Sequence, residues 1–147
     1  MRKQVCIGVL AMSFLVSMLA VAPASAKSDS DVRAQIPFDF HVGDHLMPAG
    51  NYDINALNDD GSALRIGDGK RSTVALTNSK EAKAGSESRS QLVFHKYGDQ
   101  YFLAAVWGAD QTGRELRESK SERSLRREMR VAQSGGAAME IVTVNAQ

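Results

Sequence analysis

The sequence predicts a mainly β protein, a small antiparallel sandwich or barrel of about seven to eight strands with one C-terminal helix. Three observations favour this fold class. Apolar and polar residues alternate along several short segments, which is typical of half-buried strands. Turn residues such as Gly, Asp and Asn separate these segments at intervals of roughly ten residues. Apolar residues at helical spacing follow only near the C-terminus.

Residues 36–42 alternate in this way, and so do residues 52–56, so each stretch predicts a strand. The turn-forming residues 67–70 predict a hairpin between the next two strands. Residues 78–89 contain no large apolar side chain and predict an exposed loop.

Residues 91–96 and 101–107 give the strongest hairpin signal in the chain. With Gly98 and Asp99 as a two-residue turn, His95 is expected opposite Phe102. Phe94 is then expected opposite Leu103. The register predicts one shared face for Leu92, Phe94, Leu103, Ala105 and Trp107, and the other face for Val93, Phe102, Ala104 and Val106.

Residues 119–132 predict the single helix. Ser119 and Glu122 have the spacing of a capping box, in which the two side chains bond to each other's backbone N–H groups. Leu125 and Met129 follow at helical spacing. Residues 134–136 end the helix, and residues 140–144 form a last short β-type segment.

The composition fits one ordinary domain. The 147 residues include 18 basic and 17 acidic side chains, for a net charge of +1. This balance argues against a protein that binds nucleic acid through bulk charge. The charged fraction of 24% is that of a globular protein rather than a disordered one.

Residues 1–26 predict a cleaved secretory signal peptide. Arg2 and Lys3 precede a mostly apolar run over 5–22, and the small residues Ala24 and Ala26 occupy the −3 and −1 positions. An uncleaved anchor is the alternative, because the run is just long enough to span a bilayer. The polar shift at Lys27 favours cleavage, and we expect an exported protein, periplasmic or extracellular, that is not integral to the membrane.

Cleavage leaves residues 27–33 as a flexible leader and 34–147 as a single β-rich domain. The loss of Arg2 and Lys3 lowers the net charge by two, from +1 to −1. Cys6, the only cysteine, is lost as well. The mature chain therefore cannot use disulfides, thiol catalysis or zinc ligation by cysteine.

Several stretches of the mature chain carry a recognisable pattern: IPFDFHVG at 36–43, PAGNY at 48–52, LVFHKYGDQYFL at 92–103 and GREL at 113–116. Together they resemble a family of small exported bacterial proteins of unknown function, over roughly residues 34–130. The resemblance implies a signal peptide and a β-rich domain. It supplies no catalytic residues.

The three histidines are candidate metal ligands. Imidazoles and carboxylates bind Zn²⁺ or other divalent ions without cysteine. The set would comprise His41, His45 and His95 with Asp39, Asp44 and Asp99. The spacing of His41 and His45 has meaning on a helix, but a strand is expected to end between them. The favoured interpretation is therefore a surface, a turn and a core histidine, with no metal or other cofactor.

Asp99 is a candidate orienting carboxylate for His95 in an acid–base pair. Its place beside Gly98 is equally typical of a turn, which is the favoured interpretation. Three aromatic residues with polar tips are candidates for a pocket rim: Tyr97, Tyr101 and Trp107. A plain core role is the alternative for them.

Residues 114–130 carry seven basic and four acidic residues, a net charge of +3. The favoured interpretation is a solvated helix with mixed ion pairs such as Glu122 with Arg126. The alternative is weak contact with an anionic surface, for which the partner-binding candidates are Arg123, Arg126, Arg127 and Arg130. Nucleic acid is not expected, because export separates the protein from it.

The sequence favours a non-enzymatic binding or envelope-associated module, whose partner is an unknown protein or envelope component. No catalytic residue is assigned. The alternative is a small metal-binding protein or hydrolase that uses His41, His45, His95 and nearby carboxylates. Convergence of the histidines in the structure would favour this alternative.

Overall fold

The computed structural model describes residues 32–81, 89–109, 112–132 and 139–147. Over these ranges the chain is mainly β, with ten strands and a single C-terminal helix, which confirms the predicted fold class. The elements are β1 (Val32–Ile36), β2 (Phe40–Val42), β3 (His45–Met47), β4 (Gly50–Ala56), β5 (Ala63–Gly67), β6 (Ser72–Glu81), β7 (Gln91–Tyr97), β8 (Gln100–Trp107), β9 (Thr112–Leu116), α1 (Lys120–Ala132) and β10 (Glu140–Asn145).

Eight of the strands form a closed ring. Antiparallel pairing runs from β1 through β4, β5, β6, β9, β8 and β7 to β10. The ring closes between Arg33 and Gln147, whose backbone N–H groups each donate to the other's carbonyl at 2.8 Å. The strand β2 joins β8 in parallel at His41 and Phe102, and β3 pairs with β2 outside the ring.

The long strand β6 belongs to both halves of the ring. Residues 72–76 pair with β5, and residues 77–81 pair with β9. Thr77 lies buried at this junction, where its hydroxyl donates to the carbonyl of Gly61. The predicted loop over 78–89 is therefore wrong for residues 78–81, and residues 82–88 lie outside the described part of the chain.

The first predicted strand, over 36–42, is in fact two strands. Ile36 ends β1, whose partner is β4, whereas Phe40 begins β2, which pairs with β3 and β8. Pro37 cannot donate a ladder hydrogen bond, and Asp39 turns its carboxylate to the backbone N–H of Ala49 at 2.7 Å. At residues 37–39 the chain therefore crosses from pairing with β4 to pairing with β3 and β8.

The predicted flexible leader over 27–33 is wrong at its end. Val32 and Arg33 belong to β1, and Val32 is buried in the core. The signal peptide predicted for 1–26 and the rest of the leader, residues 27–31, lie outside the described residues. Within the described ranges, no helix is long and apolar enough to cross a membrane.

Aromatic contacts join three separate stretches of the chain, residues 36–43, 48–52 and 92–103. The Phe40 ring meets the rings of Tyr52 and Phe94 edge to face, at centroid distances of 5.1 and 5.5 Å. Phe38 stacks on Tyr101 at 3.9 Å. The Tyr52 hydroxyl donates to the carbonyl of Pro48 at 2.6 Å. These residues therefore interlock β2, β4, β7 and β8 around the core.

The β7–β8 hairpin has the predicted turn and register, with His95 opposite Phe102 and Phe94 opposite Leu103. The predicted assignment of side chains to the two faces is wrong for the part of β8 that follows Leu103, because the register shifts between Val93 and Phe94. A β-bulge gives β8 one extra residue and inverts the alternation that follows. Consequently Val106 lies in the core beside Leu92, where Ala105 and Trp107 were expected.

Candidate functional site

The helix α1 has one polar contact face and one solvent face. The contact face is formed by Glu122, Leu125, Arg126 and Met129, at positions i, i+3, i+4 and i+7. Of these Glu122 is buried, with 5% exposure, and the others are half-buried. The helix therefore turns a buried carboxylate and two half-buried apolar side chains away from solvent.

Glu122 contacts two residues of β7. Its Oε1 atom lies 2.8 Å from Nδ1 of His95, and the Tyr97 hydroxyl donates to the same oxygen at 3.3 Å. Residues 95 and 97 share one face of β7, because strand side chains alternate. The Ser119 cap fixes the start of α1 by accepting the backbone N–H of Glu122 at 3.0 Å. Strand alternation and the helix cap thus bring the three side chains together.

Tyr97 is 4% exposed and serves as a buried donor. Burial, followed by the negative charge of Glu122, raises the pKa of Tyr97 to about 12. The hydroxyl also lies 3.5 Å from the sulfur of Met139. Tyr97 was a candidate for a pocket rim, but the structure places it beneath α1.

The turn between β2 and β3 holds the N-terminus of α1. One carboxylate oxygen of Asp44 accepts the hydroxyl of Ser121 at 2.6 Å and its backbone N–H at 3.2 Å. These hydrogen bonds, the hydroxyl first, lower the pKa of the Asp44 carboxyl. Asp44 was a candidate metal-site carboxylate and instead anchors the helix.

The predicted pairing of Glu122 with Arg126 is wrong. Arg126 pairs with Glu118, Nη2 to Oε2, at 3.0 Å, because Glu122 points to the sheet. Half of the predicted capping box is present, since Ser119 accepts from Glu122 as expected. The Glu122 carboxylate is instead engaged by His95 and Tyr97.

The histidines are spread across the outer side of the sheet. The register aligns five residues across neighbouring strands: Leu46, His41, Phe102, His95 and Ile141. His41 and His95 lie on either side of Phe102, about two strand spacings or ~10 Å apart, with the His41 ring stacked on Phe102 and the His95 ring engaged by Glu122, so the two histidines do not converge. His45 is exposed at the start of β3.

In the part of the chain that the structure describes, no three His, Cys, Asp or Glu side chains form a group suited to a metal ion. The His41 ring stacks on Phe102 at 4.7 Å, and its Nδ1 atom is buried without a hydrogen-bond partner among the described residues. Asp99 is exposed in the β7–β8 turn, and Glu122 occupies the place beside His95 proposed for it.

The remaining rim candidates pack within the fold. Tyr101 stacks on Phe38, as described above. The Trp107 ring lies so close to Gly113 that a Cβ added there would come within 2.4 Å of it. Both aromatic side chains are half-buried.

Four cations form what we call the cationic stripe: Lys120, Arg123, Arg127 and Arg130. All four are exposed, and their positions i, i+3, i+7 and i+10 lie along one side of α1. Arg126 was predicted as part of this surface but lies on the contact face. Lys120 was missing from the candidates, although its helical spacing from Arg123 was visible in the sequence.

No protein-family model, curated protein or solved structure matches the chain. The fold and the site therefore define only the class, a β-ring domain with a helix tethered to its outer side.

Proposed function

We propose that this protein is a non-enzymatic, exported binding domain that docks on an anionic phospholipid surface of the envelope through the cationic stripe. The observation that carries the proposal is the alignment of four exposed cations on one side of a tethered helix. Export itself rests on the predicted signal peptide.

The geometry of the stripe suits a flat anionic surface. A helix rises 1.5 Å per residue, so Lys120 and Arg130 stand about 15 Å apart along one line. Each basic side chain near an anionic lipid surface contributes about 1 kcal/mol. The Nε–H group of Arg123 donates a hydrogen bond to the carbonyl of Ser119 at 3.3 Å. This contact orients the guanidinium at the helix surface.

The tether supports this function because it fixes the opposite side of the helix. Glu122 is held by His95 and Tyr97, and Ser121 is held by Asp44. A helix that is already ordered loses less conformational entropy on binding. The sheet thus acts as a scaffold for the stripe.

The test is co-flotation of the purified protein with vesicles of phosphatidylglycerol or phosphatidylcholine. We expect binding to phosphatidylglycerol alone, weakened at about 0.5 M salt by screening. The variant Arg123→Gln/Arg127→Gln/Arg130→Gln should lose this binding. The control Arg65→Gln/Lys70→Gln/Arg71→Gln removes equal charge far from α1 and should keep it. Equal flotation of both variants would contradict the proposal.

The second candidate function is a hydrolase, and the observation in its favour is the contact of His95 Nδ1 with Glu122. A carboxylate on Nδ1 orients a general base whose Nε2 serves a nucleophile. The test is hydrolysis of chromogenic esters by wild type, His95→Gln and His45→Gln. This candidate requires activity that His95→Gln abolishes and His45→Gln retains.

A further inference from the structure

A second surface stands out on the opposite half of the ring. The outer face of β4, β5 and β6 exposes three large apolar side chains: Leu57 at 53%, Val74 at 57% and Leu76 at 58%. Leu57 directly follows β4, and the other two residues alternate along β6. Large apolar side chains grouped on one face mark an interaction surface more often than scattered ones do.

The strand register arranges these residues in rows. Leu57, Ala63 and Leu76 form one apolar row, since Leu57 N–H donates to the Ala63 carbonyl at 2.9 Å and Ala63 pairs with Leu76. The next row holds Arg65 between Asn55 and Val74. The apolar row therefore has a single cation, Arg65, on one side, where the exposed Val74 also extends the apolar surface.

An acidic turn lies on the other side of the apolar row. The turn between β4 and β5 contains Asp59 and Asp60, both exposed. Asp60 accepts the backbone N–H of Ser62 at 3.0 Å, so it stabilises the turn. Arg114 reaches the same turn and donates from Nη1 to the Asp60 carbonyl at 3.2 Å, so two carboxylates against one guanidinium leave the turn net acidic by one charge. Along the strands, the face thus runs from basic through apolar to acidic.

We propose that this face is an interface between two copies of the chain. A two-fold axis that lies across the strands, along the apolar row, places Leu57, Ala63 and Leu76 against the same residues of the second copy. Arg65 lies one row, about 7 Å, to one side of the axis, and the acidic turn lies a similar distance to the other. The axis therefore places Arg65 of each copy against Asp59 of the other.

The arrangement of charges on this face favours a second copy of the chain over other binding partners. An isologous interface must be complementary to itself, and a surface with a basic end, an apolar centre and an acidic end meets this condition. An anionic membrane would find no net positive charge here, since Asp59 and Asp60 offset Arg65 and Arg114. A uniformly acidic peptide would meet the same balance of charges, and a basic one would be repelled by Arg65.

The proposed dimer leaves the cationic stripe free. The helix α1 contacts β7 on the outer side of the sheet, whereas the dimer face is formed by β4, β5 and β6. The inference rests on this face alone and does not depend on the proposed lipid binding.

Sedimentation equilibrium over about 5–500 μM protein tests the inference, because an interface near the small end of the usual size range associates weakly. Wild type should show a concentration-dependent monomer–dimer equilibrium. Leu76→Glu should weaken dimerisation roughly tenfold or more by burying a charge at the axis. The control Ile141→Glu changes a comparably exposed apolar residue on β10 and should have no effect.

A charge exchange identifies the proposed contact. Arg65→Glu and Asp59→Lys should each weaken the dimer, and the double variant should restore it. Restoration cannot arise from a folding defect, and circular dichroism melting confirms that each variant is folded. A wild type that remains monomeric at 500 μM, equal effects of Leu76→Glu and Ile141→Glu, or a double variant without restoration would each overturn the inference.

Discussion

The Glu122 carboxylate lies 2.8 Å from Nδ1 of His95, although the two residues are 27 positions apart in the chain. This contact joins α1 to β7. The inner side of the helix carries only Leu125 and Met129 as large apolar residues, and both are half-buried. The position of the helix therefore depends largely on its polar contacts.

Replacement of Glu122 by Ala should destabilise the protein. The buried Tyr97 hydroxyl would lose its carboxylate acceptor, at a cost of about 2–3 kcal/mol in the free energy of unfolding. Urea denaturation measures this change. Glu118→Ala removes a partly exposed partner of Arg126 and should cost less than about 1 kcal/mol. Equal losses from both variants would contradict the assigned tether.

Tyr97 should give the protein a distinct alkaline sensitivity. Its pKa is about 12 in the folded protein and ~10 when unfolded, so folding favours the neutral form. This stability is fully present below pH ~10 and is lost as the pH rises from there through 12. Tyr52 also has a raised pKa, because of burial, and adds to the same trend.

The variant Tyr97→Phe isolates the contribution of Tyr97. Unfolding free energies measured between pH 9 and 12 should fall less steeply for Tyr97→Phe than for wild type, because the variant has no phenol at this position. Parallel curves would show that ionisation of Tyr97 does not limit alkaline stability.

Asp44 should control the order of the first helical turn. Asp44→Ala removes the acceptor of the Ser121 hydroxyl and N–H, so amide hydrogen exchange should accelerate at residues 121–123. Because hydrogen bonding lowers the pKa of Asp44, its contribution is present above pH ~4 and is lost as the pH falls. Asp99→Ala, in an exposed turn, should leave exchange in α1 unchanged.

Gly113→Ala should destabilise the protein by about 1–3 kcal/mol, because the new Cβ would overlap the rigid ring of Trp107. Thermal unfolding followed by tryptophan fluorescence reports both stability and displacement of the ring. Gly50→Ala is a matched control, since its Cβ would meet the Tyr52 ring at an ordinary 3.7 Å. A similar loss for both variants would argue against the steric cause.

The sequence was sufficient for features that depend on local chemistry. The turn at Gly98 and Asp99 fixed the opposition of His95 and Phe102, because loop length sets hairpin register. The bulge after Val93 was not predictable, since no Gly or other local signal in the sequence marks it. Strand β9 was missed because its polar sequence was grouped with the basic segment that follows.

The role of Glu122 was hidden for a similar reason. Its spacing from Ser119 matched a capping box, a purely local motif, whereas its true partners come from β7. One signal was present: Glu122 lies in phase with Leu125 and Met129, so an apolar stripe already placed its side chain toward the sheet. Only the register of β7 identifies His95 and Tyr97 as the groups beneath it.

The pair of backbone hydrogen bonds between Arg33 and Gln147 has a consequence for folding. Without it, β1 and β10 would each present an unpaired edge to other chains, and such edges template aggregation. The two residues lie near opposite ends of the described chain, so the loop-closure entropy of bringing them together makes this contact slow to form. Until it forms, both edges stay open, and we expect partly folded chains to aggregate through β1 or β10.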